Sequence, residues 1–539
     1  MVASYWGGLA SFRRASFPVL FGELPAGNGI VFLTGTATFS GLEDVEIAGS
    51  SLQIIVNPRD PLSQLLLIKG RDDIELLTAA KALSMGNLLV SGSFIDVAEP
   101  IQQPRDYYDA PAWLPSDRPA TFGEIEQTAT LEGHGLSPGL LTVNFKMAPD
   151  IFLWRSQGVP VNINFRHPGS RWLDLENSRL DALINDKFIT SIALNNAAKS
   201  SLGASDFVQS TSRFTIPPYL LYGENQLQFY FDLKTKVSGQ NDHLLPARIR
   251  VAIDPDSSID LSSAYRYSSM PNLAYLAQSG LPFSKKADLS ETVVIGPQQG
   301  FDPLALQALL TLVGAIGSKT EYPALGIKVI DDLQVDDFAD RDWLLLGSFD
   351  NQPLLQRLSN VSPIKLDQSY LAIARQAPFS QFRHKFKKLF SAEQAMLDQL
   401  VIPRSNTISA LYSHQSPFNP QKTVVGLIAS QSQGLVDLAN ALKSAEKSAS
   451  IKGDFFVVNE QEVLSFTTSQ PYFVGYLPWH IKIQWYVLSN IWLVPLLLIS
   501  GMFILALSAF MLAKRRAKRL MNERSPFDPS PSASADETG

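Results

Sequence analysis

The sequence predicts a multidomain α/β plus all-β chain that ends in one membrane helix. Three observations predict it. Continuous apolar runs alternate with stretches of helical spacing in the first 100 residues and again after residue 290. Between them, short strand-like runs follow one another with turn residues in between, which is the pattern of a β-sandwich. Near the C-terminus, Ile491–Ala513 carries no Asp, Glu, Lys or Arg.

In chain order, residues 2–14 read as a short helix. Gly29–Gly35, Ser51–Asn57 and Leu65–Lys69 are mainly apolar runs, as in strands buried on both faces. Asp72–Met85 reads as a helix with Ile74, Leu77 and Leu83 on its apolar face. Residues 1–100 therefore form a partial α/β domain, and residues 101–120, rich in Pro and aromatic side chains, form a linker. Strand-like runs fill 121–255: Leu140–Met147, Val161–Arg166, Arg179–Ile184, Phe188–Leu194, Ser212–Ile216, Asn225–Leu233 and Ala247–Ile253. Asn185-Asp186 between two of them is a tight hairpin turn.

A second α/β domain is expected over 256–478, with 254–290 as a linker or irregular cap. Its strands are Thr292–Gly296, Ile327–Ile330, Trp343–Gly347 and Thr423–Ser430. Its helices are Pro303–Ile316, started by Asp302 as N-cap, and Gly434–Ala445. Asp454–Val458, Glu462–Thr467 and Tyr472–Tyr476 are expected to form an antiparallel edge, and 362–420 an insert. In that insert, QFRHKFKKLF places Phe382, Phe386 and Phe390 on one face of a basic helix, to lie on a membrane, dock a partner or pack on its own domain.

Ile491–Ala513 spans about 23 residues, enough to cross a hydrocarbon core of about 30 Å as one helix. Trp479, Trp485 and Tyr486, within an interface segment 479–490, and Trp492 at the start of the run form an aromatic belt. Lys514, Arg515, Arg516, Lys518 and Arg519 follow it at once, which predicts a cytoplasmic tail over 514–539 and a long N-terminal part outside. The closing residues are disordered by composition. Residues 1–30 contain no secretory signal, and the first unit opens on a helix, so the natural N-terminus is expected to lie upstream.

Composition excludes several functions. The chain has no cysteine, which removes disulfides, thiolate metal sites and a cysteine nucleophile. A net charge of −6 argues against a nucleic-acid binder. No Walker loop or H-E-x-x-H occurs, and the six histidines are scattered, so no catalytic residue and no metal ligand is assigned. Asp254, Asp256, Ser258 and Asp260 imitate the start of a calcium loop but lack its bend glycine and its final Glu, so a solvated linker is favoured. The acidic group Asp331, Asp332, Asp336, Asp337, Asp340 and Asp342 reads as a hydrated loop. Trp113, Trp154 and Trp172 are either core aromatics or platforms for sugar rings. Trp154 with Arg155, and Trp172 with Arg171, supply the stacking face and hydroxyl partner a carbohydrate site needs.

The stretches ASYWGGLASFR, LPAGNGIVFLTG, PSDRPATFGE, MAPDIFLWRSQGVPVNINFRHP and SRLDALINDKFI, followed by the terminal helix and its basic flank, resemble the BcsB family of bacterial cellulose synthase components. That resemblance implies flavodoxin-like α/β domains flanking a carbohydrate-binding-like β-sandwich, and an N-terminal truncation that removes a first sandwich. It implies a non-catalytic regulatory subunit in the bacterial inner membrane, crossing once, with the bulk of the chain periplasmic. The partners implied are the catalytic subunit, the nascent β-1,4-glucan, the membrane and further copies of the chain. Cyclic di-GMP enters by the family's name alone. Arg515 and Arg519 match half of the paired-arginine signature for that nucleotide, within a basic flank, and the other half is absent. The alternative functions are a membrane-anchored polysaccharide-active enzyme and a solute-binding receptor. Gly501, Ala506, Ala509 and Ala513 give the membrane helix a small-residue face for a partner helix.

Overall fold

The structure is a computed structural model. It describes the chain apart from residues 36–38, 87–91, 112, 126–130, 155–156, 170–171, 196–197, 201–206, 237–248, 331–334, 353, 359–361, 363, 367–369, 375–398, 404–407, 460–461, 491–492 and 524–539. Arg155, Arg171, the QFRHKFKKLF stretch, Asp331, Asp332, the start of the expected strand Ala247–Ile253 and the terminal tail thus lie outside the described residues. So do Ile491 and Trp492. Residues 1–475 and 476–539 form two separate units.

In the first α/β part, the long strand Asp60–Gly70 is central. Gly29–Thr34 pairs with it in parallel and Ser51–Asn57 antiparallel, and Phe94–Asp96 adds to the latter. Helix Asp73–Met85 starts where the Asp72 carboxylate accepts the Glu75 N–H, and ends at Gly86 with φ 69°. The expected apolar face holds at Leu83, which packs half-buried on the core beside Leu76, and is corrected at Ile74 and Leu77. Ile74 is 76% exposed and Leu77 is exposed, while Ala79, Ala80, Ala82 and Ser84 are buried. Small side chains let the helix backbone lie close on the sheet, and Gly70 leaves no room for a β-carbon against Leu76.

The sandwich is built as the alternation predicts. One antiparallel sheet has the order Lys187–Ala193, Arg179–Ile184, Glu224–Asp232, Leu141–Lys146. The other runs Ala198–Ser200, Phe207–Ile216, Val159–Pro168, Arg250–Ile253, Glu132–His134, with Ser258–Asp260 bridging to Pro119–Thr121. Strand Val159–Pro168 sends Val159, Val161, Ile163 and Phe165 inward and Asn162 and Arg166 outward. Phe145, Phe165, Phe229 and Phe231 fill the space between the sheets. Asn185 and Asp186 both have positive φ, 50° and 62°, as the hairpin turn requires.

The segment 254–290 is not a linker. Tyr265–Met270 pairs with Ile151–Phe152 of the sandwich on one side and with Tyr472–Gly475 on the other. The third strand of the expected antiparallel edge is thereby taken away, and only Phe455–Asn459 and Glu462–Phe466 form that edge.

The second α/β sheet has the order Lys328–Ile330, Thr292–Ile295, Asp342–Ser348, Thr423–Ala429, Ser409–Gln415, Phe455–Asn459, Glu462–Phe466. Its first four strands are parallel and the rest antiparallel. Ser409–Gln415 lies within the expected insert 362–420, yet it is a central, buried strand of this sheet. Helices Pro303–Thr320 and Ser432–Lys443 cover one face through Leu309, Leu312, Leu435 and Leu438. The other face is closed by Trp343, Leu345, Leu354 and Tyr412 among others. The first helix, Val2–Ala10, packs on Pro303–Thr320, with Gly7 and Gly8 against Gly314 and Gly317.

The second unit holds helix Trp479–Ser489 and helix Leu493–Glu523. The helix does not stop at Ala513. It continues through the basic flank, because Lys, Arg, Ala, Leu and Met are all strong helix formers. Leu493–Met521 is long and apolar enough to cross a membrane.

Candidate functional site

Three places were nominated by the sequence: the sandwich tryptophans, the acidic segments and the membrane helix. Trp113 is a core residue. It is buried beside Ala110, Ala148 and Ala287, and its indole N–H donates to the Lys319 carbonyl at 3.2 Å. Trp172 packs half-buried against the sandwich core, and its indole nitrogen is buried without a hydrogen-bond partner. A sugar platform needs an open ring face, and Trp172 has part of its ring packed against the core.

Trp154 has a different setting. Its ring lies 6.0 Å from that of Phe152, Phe152 meets Tyr267 edge-on at 6.4 Å, and Tyr267 stacks flat on Phe473 at 5.2 Å. This aromatic ladder crosses the three-stranded sheet. Trp154 ends it and is half-buried.

Beside the ladder lies a charged node. The Arg266 guanidinium donates to Asp150 Oδ1 at 2.8 Å and to Ser116 Oγ at 3.1 Å, and lies over the Tyr108 ring, 3.3 Å from its centre. The Tyr108 hydroxyl donates to the other Asp150 oxygen. Burial, with the Asp150 charge beside it, pushes the Tyr108 phenol well above its ordinary range. Residues 101–120 are therefore strapped to both neighbours. Tyr107 repeats the pattern by donating to Glu291, whose other oxygen takes Lys422 Nζ at 2.5 Å. Burial works to raise the Glu291 carboxyl, and the bonds from Lys422 and Tyr107 outweigh it and hold it below its usual value.

The acidic group does not form one hydrated loop. Asp342 is fully buried at the start of its strand, where burial raises its pKa against the pull of Lys285, which donates at 3.1 Å. Asp340 accepts from Asn419. Asp254 is paired with Arg166 at 2.6 Å, and so is not part of a solvated linker. Among the described residues no group of three or more His, Asp or Glu could hold a metal.

At the opposite end of the parallel strands, where open α/β sheets hold phosphates on a helix N-terminus, the position is taken. Asp302 Oδ1 accepts from the Ala305 N–H at 2.8 Å, and Oδ2 accepts from the Ser432 hydroxyl. The buried Gln352 side chain bridges the Ile295, Gly296 and Leu346 carbonyls at 3.1 Å each. A carboxylate on that terminus repels an anion.

Sequence reasoning passed over the aromatics around the Asn185-Asp186 turn. Phe188, Tyr219 and Tyr222 are all exposed there. The turn itself was legible, but the exposure of its neighbours was not. In the second unit, Gly501, Ala506, Ala509 and Ala513 lie on one continuous helix, with Ala506, Ala509 and Ala513 at spacings of three and four. Ser500 and Ser508 return their hydroxyls to the Leu497 and Leu505 carbonyls, so neither carries an unmet polar group into lipid.

Comparison with known proteins follows the same order along the chain. Residues 1–97 match the family model described as cellulose synthase BcsB, first FD domain, residues 119–258 the second CBM domain, and residues 266–427 the second FD domain. The chain is 31% identical to the cyclic di-GMP-binding protein of Komagataeibacter xylinus, over 97% of this chain and 67% of the relative. It is 31% identical to the protein of the same name from Pseudomonas fluorescens, over 96% of this chain and 70% of the relative. Cellulose synthase 2 of Novacetimonas hansenii is 30% identical over 97% of this chain, which covers 33% of that longer protein. With an α/β part, the sandwich and a second α/β part matched in chain order, and relatives aligned along nearly all of the chain, the chain belongs to the BcsB family, the regulatory subunits of cellulose synthase.

Proposed function

We propose that this chain is a non-catalytic subunit that holds the cellulose synthase catalytic subunit in a productive form through its membrane helix and receives the emerging β-1,4-glucan on its sandwich. The observation that carries this reading is the order of family-specific domains ending in a membrane-length helix with a basic flank. Lys514, Arg515, Arg516, Lys518 and Arg519 support a cytoplasmic C-terminus and a periplasmic body in the inner membrane. The four parallel strands with covering helices support a flavodoxin-like reading of the second α/β domain. Domain limits near 1–100, 121–255 and 256–478 are supported by the separate sheets, with Ser409–Gln415 assigned to the second α/β sheet instead of the insert.

The relatives' name extends cyclic di-GMP to this chain as a ligand. Its residues are not assigned by the paired-arginine signature, and the Asp302 carboxylate argues against the helix terminus as the place. Glucan synthesis by the catalytic subunit, reconstituted with and without this chain, tests the reading. Synthesis that depends on the chain supports it. Equal synthesis without the chain, or glucan hydrolysis by the chain alone, overturns it.

A further inference from the structure

The most exposed aromatic side chains of the sandwich gather around one turn. Tyr219 is 74% exposed, Tyr222 62% and Phe188 61%. Phe188 follows the Asn185-Asp186 turn, and the two tyrosines lie on the segment that joins strand Phe207–Ile216 to strand Glu224–Asp232. Large apolar surface left in water forgoes burial worth about 1.5–3 kcal/mol per side chain. Its retention here is not the slackness of a loose loop, because the backbone is held from several sides. The buried Asn225 side chain accepts the Tyr222 N–H at 2.8 Å and donates to the Tyr222 carbonyl at 2.8 Å. Asn185 Nδ2 donates to the Leu220 carbonyl at 3.0 Å and to Asn225 Oδ1 at 3.1 Å, and Asn185 Oδ1 accepts the Gln226 N–H at 2.9 Å. Asp186 and Gln228 exchange two bonds, at 2.9 and 3.2 Å. Pro217 and Pro218 stiffen the entry to the segment.

We propose that Tyr219, Tyr222 and Phe188 are the platform on which this sandwich takes a β-linked glucan strand; this rests on the glucan-handling reading given above. Three features favour that occupant. Flat aromatic faces match the apolar faces of pyranose rings, and a platform already rigid loses little entropy on binding. The ionisable groups beside it, Asp186, Lys187 and Glu224 with its ion-pair partner Lys319, balance to no net charge, which suits a neutral polymer over nucleic acid or an anionic lipid surface. Three aromatic side chains of about 150–250 Å² each fall short of the roughly 800 Å² per partner of a stable protein interface, so a second copy is a poor fit.

The test uses the full chain in detergent, with cellohexaose and cellulose as probes. Tyr219→Ala, Tyr222→Ala and Phe188→Ala should each weaken cellohexaose binding by about 5-fold, the loss of about 1 kcal/mol of stacking. Tyr219→Phe and Tyr222→Phe should retain it, and the thermal midpoint should not move. In the unaltered protein, cellohexaose should protect Tyr219 and Tyr222 from nitration by tetranitromethane, read by peptide mass, which needs no variant to fold. If the unaltered chain binds neither probe, the glucan-handling reading fails. If it binds but the triple Ala variant binds equally, or neither tyrosine is protected, the platform fails while that reading stands. Self-association abolished by the triple variant, with glucan binding intact, assigns the patch to a copy-to-copy interface and overturns the proposal.

Discussion

Gly7 and Gly314 bring two helices from distant parts of the chain into backbone contact: a β-carbon on Gly7 would collide with the Gly314 carbonyl. One turn further along, Gly317 meets Ser4 in the same way, and the Ser4 hydroxyl accepts the Ala324 N–H at 2.7 Å. Gly7→Ala raises intrinsic helix propensity by about 1 kcal/mol, yet overpacking costs about 1–3 kcal/mol. We expect the second effect to win, giving a lower thermal midpoint and faster hydrogen exchange in Val2–Ala10. A midpoint that rises would show that the helices part without cost.

The Arg266–Asp150 pair is well buried, with side-chain exposures of 17% and 11%. Arg266→Met alone leaves the Asp150 carboxylate uncompensated and should cost about 3–5 kcal/mol, whereas Arg266→Met with Asp150→Leu should recover much of that loss. Chemical denaturation of the four proteins in this cycle decides it. Additive losses would mean that the pair is not coupled.

His414 is buried on strand Ser409–Gln415, stacked on Tyr412, with Nδ1 bonded to the Gln415 carbonyl at 2.8 Å and Nε2 without a partner. Burial lowers its pKa to about 4. The unfolded chain therefore binds this proton first as pH falls, and stability drops between about pH 6.5 and 4. His414 contributes about 3 kcal/mol that is fully present above 6.5 and lost towards 4. His414→Gln should flatten the stability–pH curve in that window, and an unchanged difference between pH 7 and pH 4.5 would refute the assignment.

Trp172 should behave as a core residue. Trp172→Ala is expected to cost about 3–5 kcal/mol. Trp172→Phe removes the unpartnered buried N–H and should stay within about 1 kcal/mol of the parent. Trp154→Ala should cost less than Trp172→Ala, since Trp154 only ends the aromatic ladder. Urea midpoints for the three variants rank them directly.

Ala506→Leu with Ala509→Leu keeps the membrane helix apolar but blocks close approach of a partner helix. The double variant should insert normally, yet lose co-purification with the catalytic subunit and most glucan synthesis. Full synthesis with an unrelated anchor in place of residues 491–513 would make this helix a tether only.

Residue pattern alone was enough for the local elements. The apolar run with its basic flank, the alternation in Val159–Pro168, the Asp302 cap and the Asn185-Asp186 turn each depend on neighbours within a few positions, and each was legible. Tertiary structure decided what depends on distant partners. Tyr472–Gly475 has strand character anywhere, but only the fold pairs it with Tyr265–Met270, more than 200 residues away. Ser409–Gln415 was hidden in the expected insert because its burial comes from strands on either side of it. Helix Asp73–Met85 fully buries alanines and leaves Ile74 and Leu77 exposed because closeness to the sheet outweighs apolar area there. The same reason separates the aromatics. Trp172 and Tyr219 look alike as large side chains in a sandwich sequence, and only the packing around each turns one inward and leaves the other in water.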